Sequence, residues 1–288
     1  MIIVLTGATG TGKSSLALEI AKKKNAEIIN ADAFQVYEGL RIATAAPSEE
    51  MKKEVPHHLF SFVPLNESYD IHRYQIEARK AINDIISRGK TPLFVGGSGL
   101  YIRSALYDYD LSVDTSNVDF EELNKKSDEE LYDRLLELDP SEAKKLHPHN
   151  RVRVIRDIAI CLASGESKTS LIAKQSHKPI YPTEFFSIVT ERDSLYKKVE
   201  ERVDLMFASG LLEETLPLIE KYGREAPAFR AIGVKELFPY LDGKITLDEA
   251  KSQIKEDTRH YIKRQDTFFR HQFEGIISLS AEEVLKQC

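Results

Sequence analysis

Apolar residues come in two rhythms along this chain. Short unbroken runs at Ile2–Leu5, Ile28–Asn30, Pro92–Val95 and Phe185–Thr190 read as strands buried on both faces. Between them the apolar positions recur at helical spacing. In Ser14–Lys24, Leu16, Ala17, Ile20 and Ala21 share one side. In Asp70–Arg88 the stripe is Ile71, Tyr74, Ala78, Ile82 and Ile85, and Gly89 ends it. Further helices are predicted over Ser194–Ser209 and Leu211–Tyr222, parted by Gly210. Thr246–Glu249 has the capping-box form and opens a long helix reaching about His271. Gly275–Leu279 is a candidate last strand. Alternating strand, loop and helix predict a doubly wound α/β core with a parallel sheet.

That rhythm breaks between about Tyr109 and Tyr181–Thr183. Asp110–Lys145 is acidic and helical, lacks strand signals and is punctuated by Pro140 and Pro148. The expected organisation is a core of residues 1–109 plus 182–288, with residues 110–181 forming a helical insertion domain.

Composition narrows the class. At 288 residues and 42% hydrophobic, the chain can bury a sizeable core. A net charge of −6 argues mildly against a nucleic-acid binder, although it says nothing of a local patch. The two cysteines, Cys161 and Cys288, form no CxxC pair, so a reducing compartment is the simplest reading. The apolar start runs straight into glycines, which suits a buried strand better than a signal peptide. No run approaches the roughly 18 apolar residues of a membrane span. The expectation is a cytoplasmic protein, by default a monomer.

The strongest chemical signal is Gly7-Ala8-Thr9-Gly10-Thr11-Gly12-Lys13-Ser14, a complete G-x-x-x-x-G-K-[ST] phosphate loop between a strand and a helix. Glycines let successive N–H groups turn inward onto phosphate oxygens, and the following helix adds its positive end. Lys13 brings a mobile charge, and the Ser14 hydroxyl is the usual Mg²⁺ ligand. The loop does not say which phosphate compound it holds. A P-loop kinase or ATPase also needs a strand ending in a metal-holding Asp. Here Pro92–Val95 runs into Gly96-Gly97-Ser98-Gly99. The nearest candidate carboxylate is Asp32, after the second strand. It either caps a helix or faces the reacting group.

Several blocks carry a resemblance. Gly7–Ser14, Asp32–Leu40, Thr44–Pro47, His57-His58-Leu59 and Val95–Tyr101 are similar, in order, to the bacterial tRNA dimethylallyltransferases. So are Arg153–Arg156, Arg202–Met206, Ala231–Leu237, Thr258-Arg259 and Lys263–Thr267. The blocks cover most of the chain outside the insert, and together they are specific. The resemblance implies a P-loop NTPase-like parallel-sheet core. It implies transfer of a dimethylallyl group from dimethylallyl diphosphate to the exocyclic amine of the adenosine 3′ of the anticodon, releasing diphosphate, with Mg²⁺ as cofactor. It gives the phosphate loop to the donor diphosphate rather than to ATP. Lys13 sits in that grip, Asp32 is implied as general base, and Arg202 neutralises the leaving group. It also implies tRNA contacts at Asp32, Ala33, Phe34, Gln35 and Ser98, at Val152, Arg153, Val154, Ile155 and Arg156, and at Arg230, Ala231, Ile232, Gly233, Val234 and Lys235. Departures from the family pattern are Ala8, Gly10, Thr11 and Ser14 in the loop, and Glu38, Arg41 and Ala46 after it, two of which reverse a charge.

The chemistry is consistent with those residue types. An adenine amine is a weak nucleophile, so most of the help must go to the departing diphosphate. The adenine must leave its stack, and a channel entered by base and diphosphate from opposite sides would serve. Gln35 and Ser98 are candidate partners of the flipped base. Arg151, Arg153 and Arg156, and Arg259, Lys263, Arg264 and Arg270, are candidate phosphate contacts. Without the resemblance, Arg202 reads as one of a run of solvated helix charges. His57-His58 reads as packing or loop hydrogen bonding, with no third ligand evident. Three readings compete: a small-molecule P-loop kinase with ATP on the loop, a silent RNA-binding relative, and a prenyltransferase acting on free AMP. The two basic clusters favour tRNA over free AMP.

Overall fold

The computed structural model describes all 288 residues. They form two compact units, Met1–Leu106 with Tyr181–Cys288, and Tyr107–Ile180. No helix is long and apolar enough to cross a membrane.

The first unit is built on a six-stranded parallel sheet. Its strands are β1 (Ile2–Gly7), β2 (Ala26–Asn30), β3 (His57–His58), β4 (Thr91–Val95), β5 (Thr183–Ile188) and β6 (Ile277–Leu279), in spatial order β3-β2-β4-β1-β5-β6. All six residues of β1 are buried. Its register pairs Ile3 with Leu93 on one side and Val4 with Phe185 on the other. This explains the unbroken apolar runs, since a central parallel strand has no solvent face. Helices α1 (Lys13–Lys23), α2 (Ile71–Ser87) and α3 (Gly99–Leu106) surround the sheet. α1 lays Leu16, Ala17, Ile20 and Ala21 on Ile3, Leu5, Ile28 and Leu93. Each such aliphatic side chain contributes about 1.5–3 kcal/mol when fully buried. α2 buries Tyr74, Ala78, Ile82 and Ile85, four of the five expected positions, and Asp70 caps it by accepting from the Arg73 N–H. The Tyr74 hydroxyl donates to the Asn30 carbonyl at 2.7 Å, pinning α2 to the end of β2.

In the second unit, α4 (Asp128–Leu138) opens with a complete Ser127/Glu130 capping box, and α5 (Arg151–Ser164) ends at left-handed Gly165. Leu123, Leu131, Leu135, Ala143, Val154, Ile155 and Ile158 make its core.

The chain then returns to the first unit as α6 (Arg192–Ala208), α7 (Leu211–Tyr222), α8 (Leu247–Gln272) and α9 (Ala281–Gln287). Both bonds of the Thr246/Glu249 capping box are present. The sequence did not predict α9, which packs Val284 and Cys288 against the α1 face of the sheet.

His57 and His58 are an edge strand rather than a loop. His58 Nε2 lies 2.7 Å from Glu27 Oε2, and His57 Nδ1 lies 2.7 Å from the Val55 carbonyl. Glu27 is a carboxylate in the middle of β2, almost fully buried. Arg88 holds it through both oxygens at 2.5 and 2.7 Å, with Lys90 at 2.7 Å. The Arg88 bonds hold its pKa far below the usual carboxylate range. Such compensation is what lets a charge enter a strand interior.

Candidate functional site: two cavities meeting at Asp32 and Arg202

The phosphate loop follows β1 directly. Gly10 and Gly12 take left-handed φ of 85° and 82°, so the loop can curl. A side chain on Gly12 would meet no atom and would project into open space at the start of α1. Lys13 Nζ donates to the Gly7 and Ala8 carbonyls at 2.8 and 2.7 Å. Burial drives the Lys13 pKa down to about 8, with Asp32 opposing the shift and Arg202 adding to it.

The glycines after β4 have a different purpose. A Cβ on Gly96 would stand 2.1 Å from the Ala31 carbonyl oxygen, and one on Gly97 would stand 1.9 Å from Gln265 Nε2. Close approach, not phosphate binding, demands them. Gln265, on α8, donates to the Gly97 carbonyl at 3.0 Å and accepts from the Thr9 N–H at 3.2 Å. It ties the phosphate loop to the β4 loop.

Asp32 does not cap a helix, because the segment after β2 is a turn. Its Oδ1 accepts from the Phe34 N–H at 2.9 Å and the Gln35 N–H at 3.4 Å. One oxygen therefore holds the turn, and the carboxylate still lines a cavity. Arg202 is on α6, turned inward while Lys197, Lys198 and Glu201 stay exposed. Burial lowers its pKa, and Asp32 opposes the shift.

Two cavities adjoin here. The first, about 550 Å³, is lined by Gly10, Gly12, Lys13 and Ser14 together with Arg41, His57, Phe60 and Lys198. The second, about 240 Å³, is lined by Phe34, Arg230, Ala231, Ile232 and Lys235, and by Thr258, Tyr261 and Arg264 of α8. Thr9, Asp32, Thr44, Arg202 and Met206 line both. A phosphate-grip cavity thus meets a mostly apolar one at a carboxylate and a guanidinium.

Several expected contacts need correction. Gln35 Nε2 already donates to the Thr44 and Ala45 carbonyls at 2.9 and 3.1 Å, so only its carbonyl oxygen is left for a base. Ser98 Oγ accepts from the Ala33 N–H at 3.1 Å, and its hydroxyl also interacts with the Tyr261 phenol. Val154 and Ile155 are buried in the core of the second unit, and their side chains cannot reach RNA. Val152, Arg153 and Arg156 are exposed on the same helix. Ala231, Gly233 and Val234 are buried, whereas Arg230 and Lys235 are exposed. Arg151 pairs with Asp128 at 2.9 Å, and Arg259 with Glu200, so neither is an uncommitted cation.

Sequence reasoning missed Tyr261, Thr258 and Gln265. They face inward from a helix rich in charge; Thr258 and Gln265 lay in matching blocks without a role given to them, and for Tyr261 the helical spacing from them was the only signal. Burial and the Asp32 charge push the Tyr261 phenol up to about 12.

Comparisons with known proteins match nearly the whole chain. A family model described as IPP transferase matches residues 35–272, and one described as isopentenyl transferase matches residues 1–60. A tRNA dimethylallyltransferase of Anoxybacillus flavithermus is 42% identical over 94% of this chain and 88% of its own length. That of Bacillus subtilis is 38% identical over 95% and 88%. Among solved structures, the tRNA delta(2)-isopentenylpyrophosphate transferase of Staphylococcus epidermidis superposes with a TM-score of 0.73 at 34% identity, covering 99% of this chain and 96% of that one. A eukaryotic dimethylallyltransferase acting on tRNA superposes at 0.88 and 31%, covering 97% and 73%. A phosphate loop whose cavity meets a second one at a shared carboxylate and guanidinium, on a chain matched along nearly its whole length, is thus that of a member of the IPP transferase family, to which the tRNA dimethylallyltransferases belong.

Proposed function

We infer that this chain transfers a dimethylallyl group from dimethylallyl diphosphate to the exocyclic amine of the adenosine 3′ of the anticodon in tRNA, and releases diphosphate. The observation that carries the residue roles is the shared lining of the two cavities by Asp32 and Arg202. The diphosphate occupies the Lys13 side and the adenine the Phe34–Arg230 side. Each substrate then presents its reacting atom to the same two charges.

Asp32 takes the proton as the amine attacks and acidifies. Arg202 and Lys13 stabilise the charge that builds on the departing diphosphate. Lys13 exchanges its Gly7 and Ala8 carbonyl partners for phosphate oxygens. The Ser14 hydroxyl opens onto the same cavity, and Mg²⁺ needs only one or two protein oxygens beside substrate phosphates, so these residues fit the ion. When bound it would supply positive charge to the leaving group. A kinase reading has no support at the end of β4, where Val95 is followed by Gly96 and no carboxylate. The test offers the enzyme allyl diphosphate with an anticodon stem-loop, free AMP or ATP, and asks by mass spectrometry which is modified. Modification of AMP or ATP but not RNA would overturn the substrate assignment.

Two further outcomes follow. A lysine of pKa about 8 is charged below that pH and neutral above it. Donor affinity is therefore greatest below about pH 8, and the donor KM climbs up to tenfold per pH unit beyond it, because binding takes up a proton. A KM flat across that range would show that Lys13 does not carry the donor's charge. In the insert, Arg153 and Arg156 are exposed cations suited to RNA phosphates. Arg156→Ala is expected to weaken tRNA binding and to reduce the salt slope by about 0.7–0.9. An unchanged slope would remove that contact.

A further inference from the structure

The second cavity has two walls of different origin. One is the segment Arg230–Lys235, and the other is the inward face of α8. Behind them lies a pair of carboxyl groups to which the reaction assigns no role. Glu236, on the one-turn segment Lys235–Leu237, is only 5% exposed. Its Oε2 accepts from the Gly233 N–H at 2.8 Å. That glycine has a φ of 98°, and a Cβ on it would press on Met206. Glu236 Oε1 sits 3.3 Å from Lys235 Nζ yet receives no directed hydrogen bond from it. Asp257, on α8, lies 3.3 Å from the same Lys235 Nζ, so one ammonium gathers two carboxyl groups, and Glu236 Oε1 has no hydrogen-bond partner of its own.

Two carboxylates and one lysine leave one negative charge in excess unless a proton stays between them. The charged groups facing Glu236 are Lys235 on its own segment and Asp257 on α8. Burial and the neighbouring Asp257 carboxyl push Glu236 up to about 7. The same pairing, against the cost of burial, leaves Asp257 on the low side of the usual range. The proton therefore suits Glu236, the more buried of the two and the one with an unpartnered oxygen, from which it can be shared with Asp257.

We propose that Glu236 is a positioning residue that, as a neutral acid bonded to Asp257, joins the Arg230–Lys235 wall of the RNA-side cavity to α8. With the proton in place the Lys235, Asp257 and Glu236 cluster is neutral, and Gly233 is held in its left-handed turn. Without it, two carboxylates repel across the joint, and a negative charge stands beside a surface meant for RNA. This inference rests on the second cavity being the RNA side.

The experiment measures the affinity of the full-length protein for an anticodon stem-loop RNA, without donor and at fixed salt. The range is roughly pH 6 to about 8.5, which brackets the pKa. Wild type is expected to weaken by roughly three- to tenfold across it, the scale of one added charge near a protein surface. Glu236→Gln keeps both hydrogen bonds and cannot ionise, so it should hold the low-pH affinity throughout. Glu236→Ala should bind weakly at every pH. Lys13 titrates in the same range but is present in all three proteins, so the difference between wild type and Glu236→Gln isolates the pair. A flat wild-type profile, a Glu236→Gln profile that follows wild type, or Glu236→Gln as weak as Glu236→Ala would overturn the inference alone. Failure of every form to bind RNA would overturn the reading of the cavity as well.

Discussion

Asp32→Ala is expected to lower kcat for prenyl transfer by about 10²–10⁴-fold, the contribution of a positioned general base. RNA affinity should stay nearly intact, because the carboxylate is one of many groups lining the RNA-side cavity. The substitution also removes the bonds from the Phe34 and Gln35 amides to Oδ1. Asp32→Asn separates the two effects, since its amide oxygen can keep the turn while giving up the base. If Asp32→Asn is as impaired as the alanine variant, the loss is chemical. If it turns over like wild type, Asp32 only holds the turn and the base assignment falls. Binding and single-turnover transfer are measured on the same preparations, so a folding defect would show as lost binding.

The ease with which these residues could be read differs, for physical reasons. The phosphate loop is local: strand, glycines, lysine and helix are contiguous, and one sequence window contains the whole device. Asp32 was also legible, because a parallel strand delivers its last residues to the same sheet edge as the loop. Arg202 was not. It sits among Lys197, Lys198, Glu200 and Glu201, and composition cannot say which of five neighbouring charges a helix turns inward. Only family resemblance chose it. The same blindness produced the opposite error at Val154 and Ile155, where a motif block contains both outward arginines and inward core residues. Glu27 shows a third kind of failure. A buried carboxylate inside an apolar strand makes sense only once Arg88, Lys90 and His58, distant in sequence, are seen around it. In the sequence Gly96 and Gly97 mark only a strand end without a carboxylate; that they are points of close approach shows only once Ala31 and Gln265 are seen beside them.

Arg202→Ala should separate stability from catalysis. The guanidinium lines both cavities, with Asp32 the opposing charge that acts on it. Burial depresses its pKa, so the fold bears a desolvation cost that no close ion pair offsets. Removing it is therefore expected to leave thermal stability unchanged or raised. Catalysis should respond in the opposite sense. Loss of a preorganised positive group aimed at a developing anion costs about 10²–10³ in kcat, or about 2.7–4 kcal/mol of transition-state stabilisation. Lys13 and the phosphate-loop amides remain, so donor binding should suffer less than kcat. Arg202→Lys restores the charge without the planar fork and should recover part of the rate. Thermal melting, donor KM and kcat on the same variants decide the matter. Turnover near wild type in Arg202→Ala would remove the arginine from the leaving-group role. A large fall in melting temperature alongside the lost rate would mean that it braces the fold instead. A charge kept in a cavity at a cost to stability is the pattern expected where field strength, not packing, has been selected.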